Sequence, residues 1–375
     1  MKKHLLKTSA LVGSLFVLGT SVSYAQTTVT GNLDISYRAV KDGANAQDSF
    51  RGFGKEAQIN IQNKGKLNNG WEYAAGFSLE FDGNDHGQQA YTQGTANTTT
   101  GAGSLTSGKI NGDLSGALSG ENTYIDLIIG NTTLSFGADH IQNPDSHAHI
   151  NPAGVGYITS YTTKQGLYPT AANSVYGSYG FGIIQNVPNI GKLSFNYVPN
   201  PKFGSSTISG TVGPDIGNAA TTAHYDGAEE SAYEVGFNGD FGVKGLNVLA
   251  YKTMESGKED GKSSRQAGYR IGASYNFGDI TVGVDKAQTT NASQTEVNGK
   301  AASLTYAVTK DLSLGATYGK ADSTQYSYDE KIKLISVGYN LGPVAVNATA
   351  RKVENNGGVE INDNKDVIVK LSTKF

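Results

Sequence analysis

No cysteine occurs anywhere in the 375 residues, and proline (8), methionine (2) and tryptophan (1) are scarce. An exported chain without cysteine has no disulfides, so its stability must come from the fold or from lipid. Past the first 25 residues no apolar run is long enough to cross a bilayer as a helix. Positive charge is not in excess either. The leader holds Lys2, Lys3 and Lys7 and no acid, so the net charge of −3 becomes −6 once it is removed. A mildly acidic chain is a poor nucleic-acid binder. No phosphate loop or dinucleotide fingerprint occurs, and Gly177-Ser178-Tyr179-Gly180 is too loose for a nucleophile elbow. The expectation is a chain that is not an enzyme and needs no cofactor.

The leader itself is explicit. Lys2, Lys3, His4 and Lys7 precede a largely apolar stretch from Leu5 to Leu18, and Ser23-Tyr24-Ala25 follows. That pattern is a secretory signal with cleavage between Ala25 and Gln26. Residues 1–25 are then a removable address and 26–375 a single domain.

Glycine (49) and tyrosine (21) are abundant in that domain, and apolar residues recur with a period of two. Trp71, Tyr73, Ala75, Phe77 and Leu79 alternate with Glu72, Ser78 and Glu80, a pattern no helix presents. In the last ten residues Val367, Val369, Leu371, Thr373 and Phe375 alternate with Asp366, Ile368, Lys370, Ser372 and Lys374. Such strands show two faces, one apolar and one polar. Sixteen of them are expected, with strand 1 at 28–40, strand 2 at about 56–63, strand 6 at about 175–185 and the last reaching Phe375. The phase of strand 9, near Leu246, is ambiguous, and Ile368 breaks the polar face of strand 16. Seven connections read as tight turns, such as Gly130-Asn131 and Gly278-Asp279, and eight as long polar loops.

Both faces have to be accounted for. Outward rows end in rings beside the turns, at Tyr275, Phe277, Tyr306, Tyr339 and Phe375, as in the aromatic girdles of membrane barrels. The opposite face carries Asp34, Arg38, Glu72, Glu80, Asp126, Glu234, Arg270, Arg351 and Lys370, which a soluble sandwich would have to bury. A closed antiparallel barrel with lipid outside and water inside accommodates both, and closure satisfies the backbone in lipid. The fold expected is all-β: an up-and-down, 16-stranded transmembrane β-barrel whose termini lie on the short-turn, periplasmic rim.

The leader, the sixteen alternating strands, the segment NTYIDLIIGNTTLSFGADH at 122–140, the long loop after strand 5 and the final Phe375 together resemble the Gram-negative general porins. The resemblance spans nearly the whole chain after the leader and rests on pattern rather than a rigid motif. It implies a homotrimeric channel in outer-membrane lipid that passes ions and small hydrophilic solutes. It also implies a third long loop, 140–174, folded inward as the constriction, and a terminal Phe375 read by the barrel-assembly machinery. In that loop Asp145, His140, His147 and His149 are the candidate constriction residues. No further ligand completes a familiar metal set around the histidines. Arg38, Arg351 and Lys370 are expected to form a basic strip on the pore wall; Asp34, Glu72, Glu80, Asp126 and Glu234 are its expected acids, giving a lean toward cations. A substrate-selective channel, and a non-conducting barrel or adhesin acting through its long loops, are the alternatives.

Overall fold

The computed structural model describes residues 25–42, 50–82, 118–137, 180–198, 231–255, 267–290, 296–355, 360 and 363–375. Sixteen strands account for nearly all of them. The first half comprises β1 (Gln26–Asp42), β2 (Phe50–Lys66), β3 (Glu72–Asp82), β4 (Leu118–Ile129), β5 (Thr132–Gly137), β6 (Gly180–Val187), β7 (Gly191–Val198) and β8 (Ala232–Gly239). The second half comprises β9 (Leu246–Glu255), β10 (Ala267–Phe277), β11 (Ile280–Thr290), β12 (Glu296–Ala307), β13 (Leu312–Ser323), β14 (Glu330–Asn340), β15 (Val344–Glu354) and β16 (Asn364–Lys374). Each strand pairs antiparallel with its sequence neighbours, and β16 pairs with β1, closing the barrel.

Closure is a consequence of the alternation. A sheet with an apolar outer face leaves no edge that lipid could satisfy, so its first and last strands must meet. Ile35, Ile125, Ile271, Val284, Ile335 and Val367 are exposed on the outside. Inward-facing Ser36, Arg38, Glu234, Arg270, Asp285, Arg351 and Asp366 are buried.

The tight turns use glycine where the backbone requires it. In the two-residue turns Gly130 has φ 59° and Gly278 φ 84°, a positive first position suited to the twist of a hairpin. Asn131 does not share the positive φ, so one glycine sets each of these turns.

Two expectations need correction, and part of a third falls on residues that are not described. β2 begins at Phe50 rather than near 56, because Gly52 and Gly54 hide an alternation that the ladder with β1 enforces through Val40↔Phe50 and Tyr37↔Phe53. β6 is described only from Gly180, so the expected strand residues 175–179 lie outside the described residues. The rim opposite the tight turns is not uniformly long: only 291–295 separate β11 from β12. Those strands run on above the apolar band instead of giving way to a loop, with Thr290 opposite Glu296.

Pairing also settles β9. Tyr275↔Leu246, Ala273↔Val248 and Ile271↔Ala250 put Leu246, Val248 and Ala250 outside, while Leu249, Tyr251 and Thr253 are buried on the inner face. Among the described residues, β4 carries the one register irregularity. Gly76 pairs with Tyr124 but Ser78 with Glu121, and Asn122 takes up the extra residue at φ 49°.

Candidate functional site: the inner wall of the barrel

The inner wall is built from the inward row of every strand, so its chemistry follows from register. On β1 that row holds Asp34, Ser36 and Arg38; on β16 it holds Asp366, Ile368 and Lys370; on β15 it holds Arg351. Arg351 lies directly opposite Asp366, and Arg38 directly opposite Ile368. The Arg38 guanidinium donates to Asp366 Oδ2 at 2.9 Å, and Arg351 Nε donates to Asp366 Oδ1 at 2.9 Å. A second Arg351 nitrogen reaches Asp366 Oδ2, making that grip bidentate. Bidentate arginine–carboxylate geometry is among the stronger charged contacts available to a protein. All three side chains are almost fully buried.

Ile368 now has an account. It stands directly opposite Arg38 in register, where side chains on one face are neighbours, so the aliphatic stem of Arg38 has an apolar residue beside it while its charged end goes to Asp366.

Arg38, Arg351 and Lys370 therefore share one wall, as the sequence suggests, but they are not a bare basic strip. Asp366 lies between the two arginines, and Lys370 pairs with Asp34. Each of the three cations thus has a carboxylate against it. Sequence reasoning assigned Asp366 to the polar face without a role, because its partners sit on β1 and β15, far from it in the chain.

A second cluster is farther round. Arg270 Nε on β10 donates to both carboxylate oxygens of Asp285 on β11, at 3.2 and 3.1 Å, again fully buried. Asp285 carried no expected role either. The expected acids are dispersed. Glu234 is buried on β8 and accepts from Asn196 Nδ2 at 3.0 Å. Asp126 on β4 accepts from Ser135 Oγ at 2.5 Å, and Glu80 on β3 is buried. Glu72 lies at the short-turn rim, exposed and 3.8 Å from Lys66.

His140, Asp145, His147 and His149 lie outside the described residues. Among the described residues no group of three or more His, Cys, Asp or Glu is arranged to hold a metal. On the opposite rim from the tight turns, the Tyr328 phenol donates to Glu360 Oε2 at 2.7 Å, and that hydrogen bond to a carboxylate raises its pKa above the usual tyrosine value.

A closed sixteen-stranded antiparallel barrel with an apolar exterior and buried charge on its inner wall is the frame of a membrane channel, and sequence comparison decides the family. The Gram-negative porin profile matches residues 8–358. The chain belongs to the Gram-negative porin family. This porin is an outer-membrane β-barrel channel for passive diffusion. Its fold is shared with solved porins of distant sequence. One is the anion-selective porin from Comamonas acidovorans, with a TM-score of 0.62 and 13% identity, covering 94% of this chain and 100% of that one. Another is a five-site mutant of Rh. blastica porin, with a TM-score of 0.59 and 14% identity, covering 93% and 100%. A triple mutant of Rhodopseudomonas blastica porin aligns with a TM-score of 0.58 over the same shares. No curated protein sequence matches the chain.

Proposed function

We propose that this porin passes small hydrophilic solutes and ions through a lumen whose wall is charged but largely self-compensated, so that it discriminates weakly between ions of either sign. The observation that carries this reading is the pairing of inner-wall charges: Arg38 and Arg351 with Asp366, Arg270 with Asp285, and Lys370 with Asp34. A wall of bare like charges would focus a strong field on passing ions, whereas opposed charges at hydrogen-bond distance cancel beyond a few ångströms.

The remaining parts of the proposal rest on the leader sequence and on the family. Residues 1–25 are removed by cleavage between Ala25 and Gln26, the channel is a homotrimer, the barrel-assembly machinery reads Phe375, and the porin has no enzymatic activity. The loop at 140–174, with His140, Asp145, His147 and His149, is the proposed constriction. Planar-bilayer recording with the purified protein tests the reading. Stable ohmic steps with a reversal potential near zero in a potassium chloride gradient are expected. Steps blocked saturably by one solute would favour a substrate-selective channel, and absence of steps would favour a non-conducting barrel or adhesin.

A further inference from the structure

The tight-turn rim is uneven in a way that barrel closure does not require. The β4–β5 and β10–β11 hairpins close with two residues each, whereas six residues, 240–245, join β8 to β9. That connection is held in place by its own backbone. Asp240 Oδ1 accepts from the Gly242 N–H at 2.9 Å, and the Asp240 carbonyl from the Val243 N–H at 2.9 Å. Phe241 has φ 52°, a conformation that a bulky residue adopts only where its surroundings impose it. Its N–H donates to the Ile190 carbonyl at 3.0 Å, which ties the connection to the β6–β7 turn at 188–190. The two turns meet through bare backbone: a Cβ on Gly239 would lie 2.2 Å from the Ile190 carbonyl oxygen.

Between these joined turns lies a cavity of about 800 Å³, a volume in the range of small-molecule sites. Part of its lining is a row of the inner wall. Lys192 alternates into the same row as the buried Ser194 and Asn196, and so points to the lumen side of β7. Asn186 stands opposite Lys192, and Lys192 opposite Asn238, so amide, amine and amide lie side by side across β6, β7 and β8. Asn247 of β9, with Asp240 and Lys244 of the connection, adds further polar groups to the lining.

Charge is not matched here as it is elsewhere on the wall. Lys370 has Asp34 and Arg270 has Asp285, but Lys192 and Lys244 form no ion pair among the described residues. Asp240 is the one carboxylate of the lining, and its Oδ1 is already engaged by the Gly242 N–H. Among the described residues lining the cavity, two cations therefore stand against one acid.

We infer that this cavity is a binding subsite for small dicarboxylates at the tight-turn mouth of the channel. One ammonium comes from the wall and the other from the connection, so a ligand charged at both ends can engage both. The asparagine amides have N–H groups to donate to the carboxylate oxygens left over. An anion with one charge answers only one lysine, and a neutral solute answers neither. Because the turns are fixed before the ligand arrives, little ordering is left to oppose binding. The inference rests on the channel reading and names a solute class for it.

Single-channel recording in dilute potassium chloride tests this, with succinate added to one chamber at a time and succinamide as its uncharged counterpart. Succinate should reduce the step conductance saturably from one side and far less from the other, and succinamide from neither. The combined Lys192→Gln, Lys244→Gln variant should need roughly tenfold more succinate or beyond for half block, and the Lys192→Arg, Lys244→Arg variant should stay within about threefold of the parent. Half block at the same concentration in parent and Gln variant would overturn the inference. Equal block by succinamide, by singly charged acetate, or from both sides would overturn it too. Should the Gln variant give no steps, the parent in rising salt decides, and succinate block that salt does not weaken overturns the subsite. Should the parent give no steps, the channel reading fails and calorimetry of the detergent-purified protein decides separately. Saturable heat from succinate and none from succinamide upholds the subsite; no heat from succinate overturns it.

Discussion

Asp366 is the residue on which the inner wall turns. It accepts from Arg38 and Arg351 at once, and none of the three has water to fall back on. Removing one partner of a buried ion pair costs on the order of 3–5 kcal/mol, because a charge stays behind without compensation. Asp366→Asn leaves two arginines facing each other and should lower the temperature at which the folded barrel unfolds in detergent. The same group makes a two-signed prediction for conduction. Arg38→Ala with Arg351→Ala leaves a bare carboxylate and should move the reversal potential in a salt gradient toward cations; Asp366→Asn should move it toward anions. An unchanged potential in both variants would remove this group from the conduction path.

At the scale of the element, β16 and β1 close the barrel through a fit that uses the absence of a side chain. Phe375 donates its backbone N–H to the Gly31 carbonyl at 3.0 Å and accepts from the Gly31 N–H at 2.8 Å. A Cβ on Gly31 would lie 2.5 Å from the Phe375 ring, so the ring rests on bare backbone. Gly31→Val must displace the ring, and Phe375→Ala removes it. Both should lower the temperature at which the folded form is lost on unheated gels, and the double variant should be no worse than the poorer single, since both changes remove one contact. Full additivity would separate the two sites. Strand limits in this half were legible in the sequence: the β10–β11 hairpin, with Phe277, Gly278-Asp279 and Ile280, falls where alternation and turn chemistry place it. The opening of β2 was not, because two glycines carry no facing signal and only the ladder with β1 reveals it.

For the whole molecule, the two rims face different compartments. With the tight turns on the periplasmic side, protease added to intact cells should cut within 83–117 or 199–230, and cleavage seen only after the outer membrane is broken would invert the orientation. Sequence by itself determined that the strands are two-faced, that glycine punctuates the tight turns and that the ends must meet. Each of these follows from a local property, a period of two or a positive φ. Tertiary structure decided which charges neutralise which. Arg38 and Asp366 are 328 residues apart and share a wall only because the barrel closes. The phase of β9 follows from β10, and the row of Asn186, Lys192 and Asn238 exists only through register across neighbouring strands. Alternation within a strand fixes which face a side chain takes; the neighbour it meets is fixed by strand pairing, which no single strand encodes.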